Sequence, residues 1–156
     1  MTFVMFYCAV SQNYNQKETG SLAIKFTNKV IVMGSKFVGN SGERGAGIFV
    51  FQCKTALLYR CYMERNAAVS QGGILFIEEI EDCTFIDTYF LKNNAIKGGS
   101  IHILNCRFCK IFSCLLFRNI GFNTGGGLWI ENLHNSNLDR VEILNSSFKE
   151  NMATQG

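Results

Sequence analysis

The 156-residue sequence predicts an all-β fold in which about five to six coils of 26–27 residues stack as a parallel β-solenoid. Three observations support this fold. A six-residue pattern ending in Asn recurs at a nearly constant interval, Gly clusters follow most of its copies, and apolar residues alternate in the segments between them. No helical periodicity is sustained over ten or more residues, which argues against an ordinary α/β domain. The whole chain, 1–156, is therefore predicted to be a single solenoid segment.

The recurring pattern is a small residue or Cys, Ser or Thr, then any residue, an apolar residue, two further residues of any kind, and Asn. Its copies end 27, 26, 27, 26 and 32 residues apart, at Asn13, Asn40, Asn66, Asn93, Asn119 and Asn151. A solenoid places equivalent residues above one another, so these side chains are predicted to form a structural ladder in which amide pairs with amide. Asn also tolerates the left-handed α conformation, so we expect each ladder Asn to turn a corner.

Gly clusters and alternating apolar residues supply the turns and the inward faces of the predicted strands. Gly permits positive φ, and residues spaced two apart face the same side of a strand. The clusters are GAGIFV from Gly45, GGILFI from Gly72, GGSIHI from Gly98 and GGGLWI from Gly125. Two inward columns follow them, Ile48, Leu75, Ile101 and Leu128 in one and Val50, Ile77, Ile103 and Ile130 in the other. These columns are predicted to fill the tube.

The segments FVGN, FLKN and FKEN, combined with GAGI, GGIL, GGSI and GGGL, carry a resemblance to a known repeat. They resemble the FxxN and GGxI repeats of chlamydial polymorphic outer-membrane proteins, and similar repeats occur in large surface proteins of some protists. Met63 and Leu116 stand where that family has Phe. The resemblance implies a right-handed parallel β-helix of the pectin-lyase-like kind, with an extracellular or cell-surface, often adhesive, role. It implies no residue-level site, because these repeats are structural.

Both ends of the chain fit the register of the repeat. The opening MTFVMFYC matches the strand that precedes an Asn pattern, and it lacks the basic region and cleavage site of a signal peptide. It is also far shorter than the ~20 apolar residues of a transmembrane segment, so none is expected in this chain. Gly156 falls where another Gly cluster is due. The sequence is thus predicted to be a fragment of a longer solenoid.

The seven cysteines and the charge predict no metal, no cofactor and no nucleic acid. Cys106 and Cys109 have CxxC spacing, but no second CxxC accompanies them. Cys8, Cys61 and Cys114 alternate in one column with hydroxyl residues, so they are too far apart to bridge one another. Cys83 and Cys109 are expected to be small buried thiols in an inward column. A net charge of +3 without a basic run argues against nucleic-acid binding.

Acidic residues gather in one predicted coil, at Glu78, Glu79, Glu81, Asp82 and Asp87. Enzymes that cleave polysaccharides use clustered carboxylates as acid and base or as calcium ligands. On a β-helix such carboxylates must project from neighbouring coils, and the neighbouring coils offer Phe51 and Leu104 beside this position. A solvated acidic turn is therefore favoured, and no catalytic residue is predicted.

The residues between the two inward columns point outward and form an aromatic series, Phe49, Phe76, His102 and Trp129. An exposed series of this kind is suited to hold sugar rings or a protein partner, or to be covered by another part of a larger protein. The 32-residue interval contains an inserted loop at 131–140, ENLHNSNLDR. Because insertions in solenoids emerge on one face, often the binding face, Glu131 and His134 join the binding candidates. Arg65, Lys92 and Arg118 form a basic stripe that is interpreted as a solubilising edge.

These features favour a non-enzymatic β-helix scaffold, or an adhesion or recognition module, of a larger surface or structural protein. Its expected partners are neighbouring solenoid coils or other proteins, and possible glycan ligands. Two alternatives stay open. One is a polysaccharide lyase-like or hydrolase-like enzyme of the pectin-lyase fold, and the other is a structural subunit packed within a larger assembly.

Overall fold

The computed structural model describes residues 1–15, 17–132 and 140–155. Within these ranges, no helix has the length and apolar character needed to cross a membrane. The regular structure of the described residues consists of nineteen strands, β1 Thr2–Phe6, β2 Ala9–Ser11, β3 Leu22–Lys25, β4 Lys29–Met33, β5 Lys36–Val38, β6 Ser41–Arg44, β7 Ile48–Tyr59, β8 Tyr62–Glu64, β9 Ala67–Gln71, β10 Leu75–Ile86, β11 Tyr89–Leu91, β12 Asn94–Lys97, β13 Ile101–Phe112, β14 Leu115–Phe117, β15 Ile120–Thr124, β16 Leu128–Glu131, β17 Arg140–Leu144, β18 Ser147–Lys149 and β19 Met152–Gln155.

Three parallel sheets form the walls of the solenoid, and each full coil contributes a segment to all three. Sheet A runs in the order β1-β4-β7-β10-β13-β16, with β3 also on β7 and β17 also on β13. Sheet B contains β2, β5, β8, β11, β14 and β18, and sheet C contains β6, β9, β12, β15 and β19. The strands of each sheet come from successive coils. The predicted parallel β-solenoid is therefore confirmed, with about five turns.

The long strands β7, β10 and β13 each span a bend in sheet A, while the same path in other coils is split into two strands. Gln52, Glu79 and Asn105 mark the bend, with φ values of 49°, 55° and 56°. In the first coils the path is divided between β3 and β4, and in the last coil between β16 and β17. The bend brings inward side chains from its two sides toward each other inside the tube.

The strand register places equivalent repeat residues above one another. One inward column pairs Phe3 with Val30, Val30 with Ala56, Ala56 with Cys83, Cys83 with Cys109 and Cys109 with Val141. The core is made of such columns, including the fully buried Phe37, Met63, Phe90 and Leu116 of sheet B. Removing a side chain of this size from water stabilises a fold by roughly 1.5–3 kcal/mol. Phe148, which continues the sheet B column in the last coil, is exposed because only one neighbouring coil covers it.

The six ladder Asn residues lie in one continuous hydrogen-bonded stack. In each step the Oδ1 of one Asn accepts both the backbone N–H and the Nδ2–H of the Asn in the preceding coil, at 2.9–3.2 Å. From the second coil onward, Nδ2 also donates to a backbone carbonyl of the preceding coil, as from Asn66 to Phe37 at 3.0 Å. Asn40, Asn66, Asn93 and Asn119 are fully buried. These amides therefore join each coil to both of its neighbours.

A second ladder alternates thiols with hydroxyls at the corner between sheets A and B. The backbone N–H groups of Cys8, Cys61 and Cys114 donate to hydroxyl oxygens of Ser35, Thr88 and Ser146 at 3.1–3.3 Å. Each hydroxyl in turn donates to a carbonyl two residues before it. All seven cysteines of the chain are free thiols. This corner is built from side chains small enough to fit between the stacked coils.

The expectation that the ladder Asn residues adopt the left-handed conformation is wrong. The residue before each of them does so, with φ between 52° and 66°, at Gln12, Gly39, Arg65, Lys92, Arg118 and Glu150. The corner is thus turned one position earlier, and the Asn amide is free to point inward along the stack. A non-Gly residue held in this conformation costs roughly 1–2 kcal/mol, which the ladder hydrogen bonds offset. Gly45, Gly72, Gly98 and Gly125 do have positive φ, from 54° to 60°.

Candidate functional site on the outer wall

The candidate site is centred on the outward face of sheet A, where four aromatic rings follow one another from coil to coil. The register pairs Phe49 with Phe76, Phe76 with His102, and His102 with Trp129. The Phe49 and Phe76 rings stack at 5.4 Å and 13°, and the His102 ring lies 5.1 Å from Phe76 at 46°. We call these four residues the outer ladder. Its inward neighbours on the same strands belong to the core.

This series is largely covered, a point that the sequence pattern left open. Phe49 is 2% exposed, Phe76 and His102 are 0% exposed, and Trp129 is half-buried. The cover consists partly of long charged side chains from sheet C, whose strands end beside the ladder. The Arg44 guanidinium lies 5.4 Å from the Phe49 ring centroid and 5.6 Å from that of Phe76. The same guanidinium forms a 3.8 Å ion pair with Glu78, which holds it across the rings.

The polar end of the outer ladder is a small charged network. His102 Nε2 lies 2.9 Å from Glu131 Oε1, and Lys97 Nζ lies 3.4 Å from the same oxygen. Lys97 comes from sheet C, while His102 and Glu131 come from neighbouring strands of sheet A. Among the binding candidates, the fold thus brings His102, Trp129 and Glu131 together. Lys97 completes the network, although the sequence pattern did not point to it.

The environment fixes the protonation of both partners in this network. Burial lowers the pKa of His102 to about 4 and outweighs the opposing effect of the Glu131 charge. His102 is therefore neutral near pH 7, and with a carboxylate facing Nε2 the proton is on that nitrogen. Burial alone would raise the pKa of Glu131. The nearby Trp129 indole N–H and the positive charge of Lys97 outweigh this and hold that pKa below its ordinary value.

Three buried polar atoms at this end of the ladder make no hydrogen bond. They are His102 Nδ1, Trp129 Nε1 and Thr124 Oγ1, and no other side-chain atom of the described residues that is equally shielded lacks a partner. Thr124 pairs in register with Lys97, so it borders the same network. Buried polar groups are normally satisfied by protein or by ordered water. Because all three lie at the same end of the outer ladder, this is the part of the described wall where buried hydrogen-bonding groups lack partners.

The inserted loop contributes little that can be described. His134 lies outside the described residues, as do all positions from 133 to 139. Asn132 is described, and its side chain accepts the backbone N–H of Cys106 at 3.1 Å and donates to the Cys106 carbonyl at 3.0 Å. This amide takes the place of a paired strand at the point where sheet A is interrupted between β16 and β17.

The acidic residues of one coil do not converge on a common point. Glu78 pairs with Arg44, Asp87 pairs with Arg60 at 3.8 Å, and Glu79 accepts a hydrogen bond from Gln52 at 2.6 Å. The residues beside Glu78 in the neighbouring coils are Phe51 and Leu104. Within the described ranges, no group of three or more His, Cys, Asp or Glu side chains is arranged to hold a metal ion.

All three residues of the basic stripe lie close to carboxylates. Arg65 and Lys92 both approach Glu64, at 3.7 and 3.8 Å, and Arg118 approaches Glu150 at 2.6 Å. These side chains are largely exposed, so each pair contributes little, about 0–1 kcal/mol. The stripe is therefore an ion-paired edge of the solenoid.

Elsewhere, the surface of the described residues includes two open grooves. The first, about 640 Å³, crosses sheet A beyond its bend and is lined by Lys29, Thr55, Asp82, Phe108, Lys110 and Arg140 among others. The second, about 660 Å³, lies on sheet C and is lined by Tyr14, Val69, Asn94 and Phe122 among others. Of the acidic group, Asp82 lines the first groove.

Comparison with known proteins adds no relative. No family model, no curated protein and no solved structure matches the chain. The parallel β-solenoid thus rests on the sheets and ladders described above. The finer likeness to polymorphic outer-membrane protein repeats stays a prediction from the FxxN and GGxI segments.

Proposed function

We propose that the chain is a non-enzymatic β-helix scaffold, or an adhesion or recognition module, of a larger surface or structural protein. The observation that carries this proposal is the Asn ladder. Each of its steps uses a side-chain amide to bind one coil to the next. The thiol and hydroxyl corner and the ion-paired edge use further polar side chains in the same way. A chain whose repeated polar residues hold its own coils together is suited to present a long, rigid surface.

The polar end of the outer ladder is the proposed recognition point on this surface. Trp129 offers an indole face and an N–H without an acceptor, and His102 Nδ1 is an acceptor without a donor. A sugar hydroxyl both donates and accepts, and pyranose rings stack on indole faces, so a glycan fits this combination. A ligand reaches these shielded atoms only when the side chains that cover them move aside.

The test is a glycan array probed with the wild-type protein, the Trp129→Ala variant and a matched control. Phe122→Ala is that control, because Phe122 is an exposed aromatic residue on sheet C. We expect binding to one glycan class by the wild type and by Phe122→Ala, with at least a tenfold loss in Trp129→Ala. Equal binding by all three proteins would contradict a recognition role for the outer ladder.

The rival enzymatic function, a polysaccharide lyase or hydrolase, is favoured by Asp82, which lines the sheet A groove together with Lys110 and Arg140. The discriminating assay incubates acidic polysaccharides with the protein and calcium and measures depolymerisation. We expect no turnover. Turnover that is abolished by Asp82→Asn, and kept by Glu81→Gln as the neighbouring exposed control, would replace the scaffold proposal with an enzymatic one.

The second rival, a structural subunit within a larger assembly, is favoured by an apolar stripe on sheet C. Val69, Ile96 and Phe122 are 66%, 45% and 58% exposed and lie on the successive strands β9, β12 and β15. Apolar surface that recurs from coil to coil is typical of faces covered by partners. A high-mass complex in native extracts that Phe122→Ser dissociates and Trp129→Ala leaves intact would favour this function over glycan recognition.

A further inference from the structure

Three thiols meet inside the tube at the bend of sheet A. Cys83, Cys106 and Cys109 are at most 2% exposed, and all three belong to the core. The sulfur atoms of Cys83 and Cys106 are in direct contact, with Cys83 Sγ 3.5 Å from Cys106 Sγ. Two residues of neighbouring coils are thus in direct sulfur contact, although the repeat places them in different columns.

The contact lies just beyond the bend. In register, Cys106 faces Ile80 and Cys83 faces Cys109, so the contact runs diagonally between two neighbouring strands. Both cysteines follow the left-handed residue of their own strand, Cys106 directly after Asn105 and Cys83 four positions after Glu79, and both side chains are buried inside the tube.

We propose that Cys83 and Cys106 form a disulfide bond that joins neighbouring coils when the chain meets a disulfide oxidant such as glutathione disulfide. The inference is independent of the proposed function. A disulfide bond needs the two sulfur atoms to approach from 3.5 Å to about 2.0 Å, a shift of about 1.5 Å. The loop that it closes spans residues 83 to 106 and so fastens one coil to the next.

The chemistry balances as two thiol–disulfide exchanges. The Cys106 thiolate attacks glutathione disulfide, forms a mixed disulfide and releases one glutathione thiolate. The Cys83 thiolate then attacks Cys106 Sγ and releases the second. Two protein thiols and one glutathione disulfide thus become one protein disulfide and two glutathione thiols. Both thiols are buried in the folded chain, so the first exchange takes place while the chain folds, before the tube closes around them.

The other cysteines are worse placed for pairing. Cys61 and Cys114 lie two coils apart with the Thr88 coil between them, well beyond the reach of a disulfide. Cys53 is separated from Cys106 by Ile80, which pairs with both. Cys109 is the one competitor, since it faces Cys83 directly in the register. The experiment is therefore designed to distinguish Cys83–Cys106 from Cys83–Cys109.

Tryptic mapping separates these pairs cleanly. Cleavage at Lys and Arg isolates Cys83 in residues 66–92, Cys106 in residues 98–107 and Cys109 in residues 108–110, each as the only cysteine of its peptide. The protein is refolded in a glutathione redox buffer, alkylated, digested and analysed without reduction. We expect a linked 66–92/98–107 species and a fall in titratable thiols from seven to five. Seven remaining thiols, or a linked 66–92/108–110 species, would overturn the proposal.

Variants and a stability measurement complete the test. Cys53→Ser is the matched control, because Cys53 is a buried thiol of the same wall that makes no Cys83 contact, and it should keep the linked species. Cys106→Ser should lose it. We also expect the denaturation midpoint of the oxidised wild type to fall on addition of reductant, since the cross-link restricts the unfolded chain. A midpoint unchanged by reductant, with the linked species present, would contradict its role as a fastening between coils.

Discussion

The Asn ladder and the outer ladder run along the same coils with the same spacing, yet they are completed by different means. Asn66 and Asn93 bind only to their own column and to nearby backbone and hydroxyl groups, and every step repeats the last. The outer ladder changes its chemistry along its length, from Phe76 to His102 to Trp129, and relies on side chains from another sheet for part of its cover. One ladder is therefore self-sufficient, and the other depends on its surroundings.

This difference shows where the fold is specified and where function has room to vary. A repeated residue whose hydrogen-bonding groups pair with their own copies in the next coil fixes the stacking of the coils. Replacing one such residue leaves buried polar groups without partners. A position whose cover comes from Arg44 or Lys97 accepts different side chains in different coils. Among the described residues, the buried side-chain atoms without hydrogen-bond partners lie at or beside the outer ladder, at His102, Thr124 and Trp129.

The largest expected effect comes from breaking the self-sufficient ladder. Asn93→Ala removes the acceptor of two Asn66 donors and the donor to Met63 and Ser100, all within the buried interior. At about 1–3 kcal/mol for each group left unpaired, we expect a loss of about 5 kcal/mol in the free energy of unfolding, measured by urea denaturation. Asn13→Ala is the control, because Asn13 is exposed and only begins the ladder, and it should cost about 1 kcal/mol. Equal losses in the two variants would remove the distinction between inner and terminal steps.

A slightly smaller effect is expected from emptying the covered outer ladder. Phe76→Ala removes a ring that is fully buried between Phe49 and His102, and large-to-small changes of this kind cost about 4 kcal/mol. Phe122→Ala, on the exposed stripe, should change stability by less than about 0.5 kcal/mol. The same denaturation experiment measures both. A Phe76→Ala loss as small as that of Phe122→Ala would mean that the outer ladder is exposed after all.

The polar end of the outer ladder predicts a loss of stability in acid. The folded pKa of His102 is about 4 and its ordinary value is 6.5, so between these values the unfolded chain binds more protons. Stability is therefore complete above pH 6.5 and falls toward pH 4, by about 3 kcal/mol at about 1.4 kcal/mol per pKa unit. Below that range, protonation of Glu131, whose folded pKa is lowered, removes more. Urea denaturation from pH 7.5 to 4 should show this slope, and His102→Phe should flatten it. An unchanged slope in that variant would assign the acid sensitivity to other groups.

The smallest expected effect has the opposite sign. Trp129→Phe removes a buried N–H that has no acceptor while keeping an aromatic ring. Since an unpaired buried polar group costs about 1–3 kcal/mol, we expect a gain of up to about 1 kcal/mol after the loss of packed surface. Thermal denaturation of the two proteins measures it. A destabilisation above 1 kcal/mol would indicate that the indole N–H is already satisfied, and the outer ladder would then resemble the Asn ladder more closely.

The sequence predicted whatever is repeated. The spacing of Asn40, Asn66 and Asn93 gave the coil length, and the residues paired across coils follow directly from it. The burial of Phe49 and Phe76 could not be predicted in the same way, because it depends on where the Arg44 side chain lies. The equivalent position in other coils is not occupied by Arg, so no repeated pattern points to this cover. The sulfur contact of Cys83 and Cys106 was missed because the two residues occupy different columns of the repeat and meet only diagonally, between neighbouring coils.

The central claim, that successive coils lie directly above one another with their Asn amides in contact, can be tested by one nuclear magnetic resonance measurement. Nuclear Overhauser effects should connect the side-chain amide protons of Asn40, Asn66, Asn93 and Asn119 in that order, between residues 26 or 27 positions apart. The account predicts this unbroken series. If each of these amides instead shows contacts only to residues near it in sequence, the stacked solenoid is contradicted.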